Sequence, residues 1–208
     1  TTEIYTLSLH DALPIFYCMF LDNRFLRIGL LLGLWLAIYG TTLSTPALFD
    51  DADTIHAEAV REMVESGDWV TLKINNGIRY LEKAPLMYWL SAISVSLFGL
   101  SDWAVRLPVA LFTLFLSLLL FRFGARIWTQ DVGFSASLVF LTSLGPFAFT
   151  RIFLPDVILA FFMTLCFYFY LRIALEPEPH RRFLAILDWR CVGLYSSAAL
   201  AVLTKGLV

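Results

Sequence analysis

The chain has 208 residues, a formal net charge of −2, and a composition that is 59% hydrophobic, 16% aromatic and only 15% charged. A balance this close to neutral excludes the basic face that nucleic-acid binding needs, and a soluble domain of this length would interleave charge along every helix. Here the charges are bunched, and charge-free runs recur at 28–49, 84–101, 107–121, 132–150, 157–171 and 191–204. A bilayer core takes roughly 20 apolar residues at helical rise, and the shorter runs reach that length when Arg122, Arg126 or Arg172 snorkel from their ends. The pattern is that of an all-α polytopic membrane protein. Cys18, Cys166 and Cys191 lie far apart in apolar surroundings, with neither metal-ligand spacing nor a disulfide framework.

In chain order, residues 1–18 match nothing that follows and read as a non-native leader of the kind that translated adaptor sequence produces. Residues 19–208, opening at Met19, are expected to be the N-terminal part of a longer transmembrane domain, because the chain stops inside an apolar stretch. Arg24 and Arg27 ahead of the first apolar run make a signal-anchor pattern, and no A-x-A-type cleavage site follows. Five spans are expected, at 26–48, 105–126, 132–150, 156–174 and 190–207, with an outer loop over 49–104. The run at 84–101 is read as a helix lying in the interface, with Pro85 at its start and Tyr88 and Trp89 at headgroup level. Counting it as a span would move the arginines of 122–131 and 172–190 outside, against the positive-inside bias. Gly29 and Gly33 form a G-x-x-x-G, a spacing that can bring helices close but is common by chance. EPEPH at 176–180 is a Pro-rich connector.

Chemistry concentrates in the loop. Asp50, Asp51 and Asp53 follow the first span, and Thr54 is placed to cap a helix running to Ser66 and closed by Gly67. On that helix Ile55, Ala59, Val60 and Met63 make an apolar face, while Glu58–Arg61 and Arg61–Glu65 have ion-pair spacing. Three carboxylates in four residues beside a membrane repel one another and are desolvated, which favours a proton acceptor or a metal ligand. Asp156, after Pro155 at the outer end of a span, is either a functional group or a helix-end carboxylate paired with Arg151. Lys83, preceded by Glu82 and close to Tyr80, is either a snorkelling anchor or a point charge for a lipid phosphate. Lys205, within Thr204-Lys205-Gly206, is a further ionisable group near an outer helix end.

Taken in order, DADTIHAEAVREMVESGDW, GIRYLEKAPLMYWL, LFGLSDWAVRLP, LPDVILAFF and LTKG resemble the N-terminal region of polyprenyl-phosphate-dependent glycosyltransferases of the GT-C type. That group contains the aminoarabinose transferases of lipid A modification and the protein O-mannosyltransferases. The resemblance covers nearly all of residues 20–208. It implies a GT-C helical bundle in the inner membrane with its catalytic loop on the periplasmic side. It also implies a polyprenyl-phosphate sugar donor and a lipid, protein or glycan acceptor.

By resemblance the general base is Asp51 or Asp53, since the register sets Ala52 and Asp53 where the family has an Asp-Glu pair. Asp156 matches a second acidic position. Tyr80 and Lys83 match donor-phosphate contacts, with Lys205 beside them, and Glu82 matches a position that binds a divalent cation. Ala84 stands where the family has its first Pro, and Ile55 where an Arg is common. A polytopic transporter or a non-catalytic lipid-binding membrane protein is the alternative. Ionisable groups at span ends rather than mid-span weigh against transport.

Overall fold

Helix α1 (Arg24–Trp35) begins where the Asn23 side chain accepts from the Phe25 N–H, an N-cap that satisfies one of the free donors of the first turn. In this computed structural model residues 23–45, 51–75, 77–80, 83–175 and 188–206 are described, with the backbone alone for Asp51 and Ala52. The leader at 1–18, Met19, Asp50, Glu82 and the 176–180 connector lie outside the described residues. After α1 the first span widens into a π-helical turn at Leu36–Gly40. The Trp35 indole donates to the Ala110 carbonyl at 2.8 Å and the Tyr39 hydroxyl to the Leu141 carbonyl at 3.0 Å. Both tie the first helix to later helices, the Tyr39 bond buried and the Trp35 bond partly so.

The outer loop folds into helix α2 (Asp51–Ser66), a two-residue hairpin pairing β1 (Lys73–Ile74) with β2 (Ile78–Arg79), and helix α3 (Leu86–Phe98). The strands are antiparallel, with Lys73 opposite Arg79 and Ile74 opposite Ile78. Helix α2 starts three residues before the expected Thr54 cap, so Thr54 lies inside it; its end at Gly67 (φ +69°) is as expected. Ala59, Val60 and Met63 are buried, and Arg61 pairs with both Glu58 (2.6 Å) and Glu65 (3.5 Å). At 13 residues α3 is about 20 Å long, well short of the roughly 30 Å hydrocarbon core, as its reading as a non-spanning helix requires. Tyr88, however, is 1% exposed and packs inward rather than reaching headgroup level.

Helix α4 (Asp102–Ile127) is the mast of the bundle: 26 residues, about 39 Å at helical rise. It packs on α3, on α5 (Gln130–Thr142), on α6 (Leu144–Arg151) and on α7 (Asp156–Leu175), and the last of these pairs with α8 (Trp189–Lys205). Pro108 lies inside α4 and has no N–H to give the Ala104 carbonyl. The Ser94 hydroxyl of α3 takes that acceptor at 2.6 Å, and Ser91 donates to Val105 O one residue on. Two serines one turn apart thus repair a proline defect where no water would serve.

The expected span at 132–150 is not one straight helix. It breaks at Ser143, whose backbone is extended, and α5 and α6 meet at a bend of 47°. Pro146 in the first turn of α6 cannot continue the α5 ladder, although it is tolerated at a helix start. Helices α4 and α7 are each long and apolar enough to cross a membrane, and the α5–α6 pair adds a broken span. The close helix crossing does not use the G-x-x-x-G of the first helix. No atom lies within 4 Å of where a Cβ on Gly29 or Gly33 would sit. Instead Gly124 of α4 meets Gly133 of α5, where an added Cβ on Gly133 would stand 2.4 Å from the Phe121 carbonyl oxygen. Ser137 Oγ donates to Ser117 O across the same seam at 2.7 Å.

Candidate active site

The cavity of interest opens where the start of α7, the end of α8, the segment before α3 and one face of α2 converge. Its volume is about 310 Å³, and Lys83, Asp156, Lys205 and His56 border it with Met87, Tyr88 and Thr204. Three residues singled out in the sequence, Lys83, Asp156 and Lys205, are brought together from positions 49 to 122 residues apart. Tyr80 is half-buried behind them, its ring centre 6.4 Å from that of His56, and its N–H donates to Leu72 O at 2.8 Å. Glu82 lies outside the described residues, as does the side chain of Asp51.

Asp156 opens α7 and accepts a 2.6 Å bond from Lys205 Nζ, in the last turn of α8. The expected alternative partner, Arg151, is committed elsewhere. It is buried, donates to the Thr42 and Ile38 carbonyls of the first span, and stacks 4.7 Å over the Phe147 ring. With side chains 31% and 44% exposed, the Asp156–Lys205 bridge is worth at most about 1 kcal/mol. Lys205 is therefore easily drawn to a stronger anion. Gly206 (φ +87°) ends α8 immediately after it.

Asp53 takes another place. It is 5% exposed, one turn before His56 on α2, and its Oδ2 stands 3.6 Å from Arg106 Nη2. Arg106, fully buried near the start of α4, also donates to Leu43 O at 3.4 Å. One guanidinium so joins the end of the first span, the acidic loop and α4.

His56 and Arg106 were not singled out in the sequence, and Tyr88 only as an aromatic at headgroup level. The signal for His56 was its position, three residues from Asp53 and from Ala59 on the apolar face of α2. For Arg106 it was a lone cation within the apolar start of a span. The His56 imidazole Nδ1 and the Tyr88 hydroxyl are 2.7 Å apart and buried. Burial lowers the His56 pKa from 6.5 to about 4, helped by the nearby Lys83 ammonium. Burial raises that of the Tyr88 phenol, with Tyr80 adding to it. A neutral imidazole accepting from a neutral phenol satisfies both shifts. Phe153 closes the roof with its ring centre 6.2 Å from that of His56 and a backbone φ of +47°, a strained left-handed conformation held by complete burial. Among the described residues no group of three or more His, Cys, Asp or Glu gathers to hold a metal.

The family model for dolichyl-phosphate-mannose-protein mannosyltransferases matches residues 82–207. Among curated proteins, the chain is 32% identical over 174 residues to the undecaprenyl phosphate-α-4-amino-4-deoxy-L-arabinose arabinosyl transferase 1 of Proteus mirabilis, covering 83% of this chain and 31% of that protein. The transferase 2 of the same organism is 32% identical over 192 residues, covering 89% of this chain and 33% of that protein. Among solved structures, ArnT from Cupriavidus metallidurans superposes with a TM-score of 0.73 at 28% identity, over 88% of this chain and 32% of that one. The same values hold for its complex with undecaprenyl phosphate. The chain thus spans about a third of the length of the relatives it matches. By sequence and by fold it belongs to the dolichyl-phosphate-mannose-protein mannosyltransferase family of GT-C glycosyltransferases, and within it is similar to the aminoarabinose transferases.

Proposed function

We propose that the protein transfers a 4-amino-4-deoxy-L-arabinose or closely related sugar from a polyprenyl phosphate to a lipid hydroxyl, at the periplasmic face of the inner membrane. The observation that carries this reading is the shared cavity. Two ammonium groups, Lys83 and Lys205, border it with Asp156 at the outer-loop end of the bundle. That is the chemistry a lipid phosphate needs, and one structural relative was solved with undecaprenyl phosphate bound.

In the proposed reaction the acceptor oxygen attacks the anomeric carbon, and the bond from that carbon to the phosphate oxygen breaks. Polyprenyl phosphate leaves with the electron pair, the anomeric centre inverts, and the acceptor proton passes to a carboxylate. Lys83 and Lys205 stabilise charge building on the leaving phosphate. Asp53 is committed to Arg106, so proton acceptance is assigned to Asp51, with Asp53 holding the segment and Asp156 setting Lys205. Two ammonium groups beside one cavity oppose a divalent cation there, so a cation at Glu82 would need further ligands.

The test is sugar transfer by the full-length protein in membranes. Asp51→Asn should lower kcat by about 10²-fold or more while leaving thermal stability unchanged. Asp53→Asn should lower stability first. Full turnover in Asp51→Asn would refute the assignment, and a protein or glycan acceptor labelled in place of a lipid would redirect it.

A further inference from the structure

A second cavity lies at the far end of the bundle and belongs to no part of the proposed reaction. Its volume is about 270 Å³, and its polar lining consists of Arg24, Arg122, Arg126, Gln130 and Tyr168. Tyr168 is twelve residues along α7 from Asp156, which sets the two cavities about 18 Å apart along that helix.

Cations at helix ends usually fan outward one by one as anchors. These converge. Arg24 comes from the first turn of α1, Arg122 and Arg126 from the last turns of α4, and Gln130 from the start of α5. The Arg122 Nε donates to the Tyr168 hydroxyl at 3.0 Å, which fixes the guanidinium plane. Arg27, just beyond, pairs with Asp131 at 2.6 Å. Planar forks arranged around a cup are matched to the paired oxygens of a phosphate ester.

A second feature says which phosphate. Arg126 and Tyr168 also border an adjoining shallow cleft between α4 and α7, where Phe123, Ile127, Leu171 and Leu175 lie beside Arg172. A polar cup continuous with a mostly apolar cleft, at the helix ends of a membrane bundle, matches a phosphodiester headgroup with its acyl chain beside it. We propose that this cavity binds the headgroup phosphate of an anionic phospholipid, whose chain lies along the α4–α7 cleft. The site is distinct from the donor cavity, and its binding does not depend on transfer activity.

The test uses the full-length protein purified in mild detergent with equal phosphatidylglycerol and phosphatidylcholine, with retained lipid counted by native mass spectrometry. The wild type should retain phosphatidylglycerol with roughly tenfold preference. The Arg24→Gln, Arg126→Gln double variant should lose that preference, and Arg79→Gln, an exposed cation on the hairpin, should keep it. Should the double variant fail to fold, Arg24→Gln alone carries the test. It should lower the preference roughly threefold with an unchanged Tm in lipid-free detergent. Millimolar inorganic phosphate should not displace the lipid. Equal retention of the two lipids by the wild type, a preference in Arg24→Gln matching the wild type, or displacement by inorganic phosphate would each overturn the proposal, the last by showing a site for soluble anions.

Discussion

His56 shows what one buried residue does to the pH response. Its pKa falls from 6.5 free to about 4 in the fold. Between those values the unfolded chain holds the extra proton, so stability rises with pH. The contribution is complete above about pH 6.5 and is lost progressively as pH falls towards 4, on the order of 3 kcal/mol in all. We expect Tm in detergent to drop between pH 7 and 4.5, and His56→Gln, which can still accept from Tyr88, to flatten that drop. An identical slope in the variant would show that other groups set it. Arg106 makes a sharper case. Arg106→Met should cost about 3–5 kcal/mol by leaving the Asp53 charge buried, and Asp53→Asn in the same chain should recover much of it. Full additivity of the two losses in a double-mutant cycle would mean that the 3.6 Å pair carries no coupling. Neither effect was legible in the sequence. Asp53 stood out as one of three clustered acids, but the cation beside it is 53 positions away.

At the scale of elements, local rules predicted well and long-range ones did not. The Glu58–Arg61–Glu65 ladder and the Gly67 stop follow from spacing along one helix. The start of α2 was set three residues late, because Thr54 has the chemistry of a cap but Asp51 already begins the helix. The break at Ser143 was hidden because hydropathy runs unbroken through 132–150, and hydropathy carries no information about direction. The glycine seam was not legible for a related reason: Gly124 and Gly133 meet across two helices, so no spacing within one helix announces them. That seam gives a direct test. Gly133→Ala sets a Cβ against backbone that cannot turn aside, so it should destabilise by about 1–3 kcal/mol, whereas Gly29→Ala should be neutral or stabilising. Equal melting temperatures for the two variants would contradict the packing of α4 on α5.

For the whole molecule, the two ends of the bundle differ in kind. One carries Lys83, Asp156 and Lys205 around the larger cavity described above, and the other gathers Arg24, Arg122, Arg126 and Arg172. The sequence already contained this division as clusters of arginine, and helix order was enough to separate them. It did not contain the meeting of Asp156 with Lys205, 49 residues apart, since only the antiparallel pairing of α7 with α8 creates it. Topology is testable from the two exposed turns. A Cys at Asn75, in the hairpin, should react with an impermeant maleimide from the periplasmic side, and a Cys at Trp128, after α4, should not. The reverse labelling would invert the assignment.

The arginine end also does work in an energised membrane. Carrying a unit charge through 100 mV involves about 2.3 kcal/mol. Among the described residues that end holds six arginines (Arg24, Arg27, Arg122, Arg126, Arg172 and Arg190) against Asp131 and Asp188. In the orientation proposed above those charges lie on the electrically negative side, where the resting potential opposes their crossing. An inverted copy would be driven against the same field.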